Sequence, residues 1–258
     1  MSKPTTPCVF CGKPGKLTKG HITPKWFLEV LPNPADKHGS FQGLYRTFKP
    51  DPARSTPFAA GPIRQGRAGS RKPRNTCFKC NGGWMSRIEE EAKSVLRPLI
   101  GGHNLALDAE AQTKLARLIC LIAMRAEFTD DKPAIPEMDR NTLRVTGNPP
   151  PDWRIWICKF AGTARGKFWY TRSAVLLEPN ATSNSPPTVL DTQTSMFVWG
   201  RFCTIALSST VLADRTGFDG QLHRIWPVVE AIVETKKLKR LDDRKAALLA
   251  DALLRTYF

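Results

Sequence analysis

Four of the seven cysteines stand in two Cys-x-x-Cys pairs, Cys8 with Cys11 and Cys77 with Cys80. Two intervening residues let both sulfurs of a pair turn toward one centre at about 2.3 Å. A second such pair completes the closed, tetrahedral shell of a structural zinc site. Gly12 follows the first pair and Asn81-Gly82-Gly83 the second, which are residue types that tight backbone turns need. A redox pair requires one Cys-x-x-Cys at a helix start in a thioredoxin-like context, which two pairs in a basic setting fit poorly. Cys120, Cys158 and Cys203 lie inside apolar runs and read as core thiols. Between the two pairs stands His21. A lone histidine beside an apolar stretch is more often structural, and that plainer reading applies to His38, His103 and His223.

The surroundings of these residues are basic. Lys and Arg number 39 against 23 Asp and Glu, a net charge of +16 with a pI near 9.9. Residues 1–100 hold 18 basic and 6 acidic side chains, and residues 101–258 hold 21 and 17. A polyanionic partner is expected to meet the N-terminal part, although charge alone does not separate nucleic acid from an anionic membrane. The segment Lys49–Arg74 carries seven Lys or Arg against the single Asp51 and reads as a basic arm tracking phosphates rather than a neutral linker. Arg64, Arg67, Arg71, Lys72 and Arg74 of this arm are the candidate phosphate contacts.

With 41% hydrophobic and 24% charged residues in 258, the chain has the composition of a folded globular protein of one large domain or two smaller ones. Its longest apolar run, Leu118 to Met124, is far short of the ~20 residues of a membrane helix, and the opening residues hold no apolar signal core. A cytoplasmic protein without a membrane partner is the expectation.

The elements that must position these residues divide near residue 100, into parts 1–100 and 101–258. Gly20 to Phe27 alternates like a strand as far as Pro24, and Pro32 to Arg74, rich in Pro, Gly and basic residues, reads as a loop or arm inserted between the cysteine pairs. A helix is expected from Trp84 to Ile100, with Ser86 as its cap and Glu89, Glu90 and Glu91 near its start. A second runs from Asp108 to about Phe128 with Leu115, Leu118, Ile119, Ile122 and Ala126 on one buried face. A short helix through Arg144 follows, then strands at Trp153–Phe160, Lys167–Thr171 and Met196–Leu207, and a closing helix from Asp243 to Tyr257. The class is α+β: an N-terminal cysteine module, then helices packed on a mostly antiparallel sheet.

One ordered set of motifs goes further. Cys8-x-x-Cys11, then Leu17-Thr18-Lys19-Gly20-His21-Ile22-Thr23-Pro24-Lys25-Trp26, then Cys77-x-x-Cys80-Asn81-Gly82-Gly83-Trp84-Met85-Ser86 resembles the HNH endonuclease family in its zinc-stabilised form. It looks most like the bacterial and phage subgroup whose second knuckle runs Cys-Asn-x-Gly-Trp-Met-Ser. The resemblance covers residues 8 to about 95. It implies a ββα-metal module in which structural zinc on the four cysteines holds two strands to a helix. It makes His21 the general base that activates water against a DNA phosphodiester, and Asn81 a ligand of a divalent ion, Mg²⁺ or Mn²⁺. Lys19, Lys25 and the basic arm would hold the backbone, in a phage or defence setting.

Two positions depart from the family pattern. Gly20 stands where an acid or histidine supplies the other metal ligand, and Glu89, Glu90 and Glu91 are the nearest replacements. Lys72 stands at the place of the middle asparagine, with Asn75 the nearest substitute. Two readings follow: an active DNA endonuclease, or a catalytically disabled zinc-stabilised module that binds nucleic acid. In either, residues 101–258 are open to a sensor role, a protein partner or a homo-oligomer contact.

Overall fold

A computed structural model of the chain describes residues 6–31, 41–48, 59–60, 72–129, 133–163, 167–177, 188–208, 218–220 and 222–255. In chain order, β1 (Leu17–Lys19) precedes a single helical turn, α1 (Phe27–Val30). β2 (Phe41–Phe48) and β3 (Ala59–Ala60) come next, and β4 (Arg74–Cys77) pairs antiparallel with β1, placing Leu17 opposite Cys77. The chain turns helical at Phe78, passes through a widened, π-type segment at Cys80–Met85, and continues as α2 (Ser86–Gly101). β5 (Ala106–Asp108) leads into α3 (Ala109–Ala126), and α4 (Glu137–Thr146) follows. The strands β6 (Arg154–Phe160), β7 (Lys167–Leu177), β8 (Thr188–Trp199), β9 (Phe202–Leu207), β10 (His223–Trp226), β11 (Ile232–Glu234) and β12 (Arg240–Leu241) come before the final helix α5 (Asp243–Arg255).

These elements make a mixed helix and largely antiparallel sheet structure, the expected α+β class. The main sheet has the order β10-β6-β9-β8-β7-β2-β3, with β12 alongside β6. Its neighbours run antiparallel except for β2 on β7 and β12 on β6.

Four sequence expectations change. Residues 41–48 and 59–60, expected in a loop or arm, are strands of the main sheet, and β2 pairs with β7 from Phe41 opposite Phe168 to Phe48 opposite Val175. Phe41, Leu44, Tyr45, Thr47 and Phe48 have the aromatic and branched character of a strand, which the flanking Pro, Gly and basic residues obscured. Lys167–Thr171 extends to Leu177. Met196–Leu207 is two strands, not one, because Trp199 and Phe202 flank a tight turn at Gly200-Arg201. Gly200 has φ +59, and a Cβ there would lie 2.4 Å from the carbonyl oxygen of Ile100, so a glycine is required on both counts. Finally, the strand expected to carry His21 stops at Lys19, and residues 20–26 are irregular up to Pro24, whose carbonyl accepts from Phe27 N at 3.1 Å.

The two long helices begin differently. Ser86 does not cap α2, since the chain is already helical from Phe78. Its Oγ instead donates to the carbonyl of Asn81, five residues back, across the widened turn (2.9 Å). Asp108 does cap α3, its Oδ1 accepting from Ala111 N at 2.7 Å. Asp108→Ala is therefore expected to cost about 1 kcal/mol, read as a lower urea midpoint with an unchanged slope.

α2 and α3 lie against one face of the sheet. Ile88, Ala92, Leu96 and Leu99 from α2 and Leu115, Leu118, Ile119 and Ile122 from α3 meet Ile155, Ile157, Phe197, Trp199 and Phe202 in one buried cluster. Cys8, Phe10, Ile22, Trp26 and Phe27 belong to the same cluster, Phe27 edge-on to Trp199 at 5.1 Å. The other sheet face buries Trp156, Phe160, Val198 and Ile205, with Ala246 of α5 over them. Cys120, Cys158 and Cys203 are fully buried, as expected of core thiols. Among the described residues no helix is long and apolar enough to cross a membrane.

Candidate functional site

The four paired cysteines meet at one point. After Cys8 the chain turns back on itself, Gly12 N bonding to Cys8 O at 2.8 Å and Cys8 N to Lys13 O at 3.0 Å, with Gly12 at φ +67. This brings Cys11 round beside Cys8. The antiparallel pairing of β1 with β4 delivers Cys77 at a strand end, and the first helical turn delivers Cys80. All four Sγ atoms lie within 4.8 Å of one another. Cys11 and Cys77 are 3.8 Å apart, about the edge of a tetrahedron whose centre is ~2.3 Å from each sulfur.

The electrostatics suit a cation. Burial raises the Cys8 thiol, but the backbone N–H groups of Cys77, Phe10 and Cys11, aimed at its sulfur, outweigh that and lower it to about 7. Burial raises the thiols of Cys11 and Cys80. Four sulfurs packed this closely release their protons to solvent together only when a positive ion binds among them. The cluster can hold a metal ion such as zinc.

Beside the cluster, a cleft of about 410 Å³ is lined by His21, Lys25, Asn81, Glu89 and Arg125, among others. His21 is half-buried at its wall. Burial, then the charges of Lys72 and Lys25, move its imidazole below the ordinary value, with Glu89 opposing. Asn81 comes from the widened turn after Cys80. Gly20 is buried next to it, and a Cβ at position 20 would lie 3.2 Å from Asn81 Oδ1. Position 20, His21 and Asn81, some sixty residues apart in sequence, therefore share one place.

Sequence reasoning missed Arg125. It projects from α3 with only 4% of its side chain exposed, Nη1 donating to Glu89 Oε1 at 2.5 Å and Nη2 to Asn81 Oδ1 at 3.2 Å. Nη2 also lies 3.2 Å from Met85 Sδ. The available signal was an arginine directly after the apolar run of α3 and within its buried helix, where a charge is almost never buried without a partner.

The other sequence candidates separate. Of the three acids on α2, only Glu89 faces the cleft. Glu90 lies near Lys93 (3.9 Å) and Glu91 near Arg117 (3.6 Å). Asn75 is no replacement for the middle asparagine in the cleft: its Oδ1 accepts from Thr76 Oγ1 and its carbonyl from Val9 N. Lys19 is exposed opposite Arg74 on the two-stranded sheet, and Lys72 is exposed near His21. Arg64, Arg67 and Arg71 fall outside the described residues. Trp84 packs edge-on to Phe10 (5.7 Å) and Trp26 on Phe27 (4.5 Å), as aromatics beside a small metal core do. Phe78, between Cys77 and Cys80, is 74% exposed.

A Mg²⁺ or Mn²⁺ ion at Asn81 does not fit this donor set. Such hard cations take several oxygen ligands, at about 2.1 Å for Mg²⁺, and Gly20 supplies none. Asn81 Oδ1 and Glu89 Oε1 both already accept from Arg125, and the charge of Glu89 is balanced by that guanidinium. Comparison of the chain with protein-family models, with curated proteins and with solved structures finds no match.

Proposed function

We propose that the chain is a zinc-stabilised, HNH-like endonuclease that hydrolyses phosphodiester bonds of DNA in the cleft formed by His21, Asn81, Glu89 and Arg125. One observation carries this reading: the cleft joins His21, Asn81 and the side-chain position of residue 20 directly beside four cysteine sulfurs spaced for zinc. The β1–β4 pair followed by the helix after Cys80 supports a ββα-metal arrangement, with Cys8, Cys11, Cys77 and Cys80 holding zinc between them.

In the reaction, His21 takes a proton from water, the water oxygen bonds to phosphorus, and the bond to the 3′ oxygen breaks. The leaving oxygen takes its proton from solvent. Lys25, with Lys19, Lys72 and Arg74 on the adjoining surface, would hold the phosphate backbone without reading sequence. No step is assigned to a divalent ion, whose ligand set is incomplete.

The bond from Arg125 to Asn81 and the bare Gly20 favour a second reading, a module that binds nucleic acid without cutting it. Plasmid nicking with Mg²⁺, Mn²⁺ or EDTA, alongside binding over a range of salt, separates the two. His21→Ala is expected to lower nicking by about 10²-fold and to leave binding intact. Salt-sensitive binding with no nicking by either protein would establish the second reading. Neither binding nor nicking would end the nucleic-acid assignment.

A further inference from the structure

We infer that Arg125 stands in for the divalent ion: its guanidinium gathers the oxygens of Asn81 and Glu89 and offsets the Glu89 charge, so that the cleft engages a nucleic-acid phosphate without metal. The inference rests on reading the cleft as a nucleic-acid site. It departs from the metal dependence that the HNH resemblance implies.

Geometry and charge carry it. A divalent ion in this cleft would need oxygen donors from two directions, the segment before His21 and the helix after Cys80. The first direction ends in Gly20, which offers no side chain. The second offers Asn81 Oδ1 and Glu89, and Arg125 reaches both at once, Nη2 to one and Nη1 to the other. A guanidinium is planar, keeps its charge at any working pH, and binds two oxygens side by side. One residue thus collects the oxygens that an ion would otherwise collect.

The support for Arg125 makes it a fixture of the site. It lies at 4% exposure near the C-terminal end of α3, an eighteen-residue helix buried along most of its length. A long side chain held by packing and by three partners is pre-organised, so little entropy is lost when a ligand arrives. The nearby charges agree with an anionic ligand. Lys25 lines the cleft and Lys72 is close enough to act on His21, while Glu29, the other acid of the lining, lies 3.8 Å from Arg97. Glu89 then acts as a brake on phosphate affinity, not as a metal ligand.

Glu89→Gln tests this directly, because the two possibilities give opposite signs. The variant keeps an oxygen for Arg125 and removes the opposing charge. Anisotropy titrations of a fluorescent 20-base-pair DNA duplex, in EDTA and in Mg²⁺, are expected to show wild-type binding unchanged between the two. Glu89→Gln should bind several-fold tighter in both. Arg125→Gln should bind about tenfold more weakly in both, with a thermal melt verifying its fold. Mn²⁺ titration followed by electron paramagnetic resonance is expected to show no saturable site in the cleft.

A Mg²⁺-dependent gain in binding or nicking that Glu89→Gln abolishes would overturn the inference and leave the nuclease reading standing. So would a Mn²⁺ site lost in that variant. Failure of wild type, Glu89→Gln and Arg125→Gln alike to bind DNA would instead remove the nucleic-acid reading itself, and the inference with it.

Discussion

Purified protein is expected to carry one equivalent of zinc, and stripping it should melt the cysteine loop and much of what leans on it. Metal analysis should give the stoichiometry, and Cys77→Ser should abolish it while Cys203→Ala, in the far face of the sheet, keeps it. The effect is large because zinc binding supplies about 10–16 kcal/mol in isolated finger peptides, comparable with the ~5–15 kcal/mol total stability of a whole domain. Here Cys8 and Cys80 are members of the buried cluster that also contains Phe10, Trp26, Phe27 and Met85. Loss of the ion leaves four crowded thiols, two of them raised by burial, and releases the aromatic residues that pack around them. A drop of more than about 10 °C in the melting midpoint, with loss of near-ultraviolet signal from Trp26 and Trp84, is the expected result. Zinc-free protein with an unchanged melting curve would show that the cluster is not a structural metal site.

The cysteine cluster was legible because its information is local. Two residues between thiols are a statement about reach, and the chain needed only β1 and β4 to bring the pairs together. The start of α3 at Asp108 was legible for the same reason, and the structure adds that its side chain caps the helix. Arg125 was not, because its partners are 36 and 44 residues away on α2 and the widened turn, and its own neighbours spell an apolar helix face. An unbroken α-helix would set Asn81 and Glu89 two turns apart. The π-type segment and the non-helical backbone of Gly83 change that register, and Arg125 bridges what remains. β2 was hidden for a different reason: its pairing with β7 joins segments more than a hundred residues apart, and its flanks are dominated by breakers and charge.

Arg140→Met is expected to destabilise the protein by about 3–5 kcal/mol, because it strips one partner from a buried ion pair. α3 ends in a short turn that places Glu127 at 1% exposure, facing Arg140 of α4. Arg140 donates from Nη1 to Glu127 Oε1 at 2.8 Å and to Ile135 O at 2.7 Å, and Glu127 Oε2 accepts from the amides of Ala134 and Ile135 at 3.0 and 2.9 Å. Burial raises the Glu127 carboxyl to about 7 even with Arg140 and those amides opposing. An acid whose folded pKa lies above its unfolded value holds more protons when folded, so its contribution to stability falls as pH rises from about 4.5 toward 7. Without the guanidinium the folded value moves higher still. The cost of Arg140→Met should therefore be smaller near pH 5, where Glu127 can be buried as the neutral acid, and larger at pH 8. Urea unfolding at the two pH values checks this, and a cost equal at both would remove the buried carboxylate as its source. Arg140 also donates from Nε to the carbonyl of Val9, inside the Cys8-x-x-Cys11 loop, at 3.0 Å. Arg125 and Glu127, two residues apart at the end of α3, thus anchor the cleft on one side and the cysteine loop on the other. A lower zinc affinity in Arg140→Met, absent from Asp108→Ala, would register that second connection.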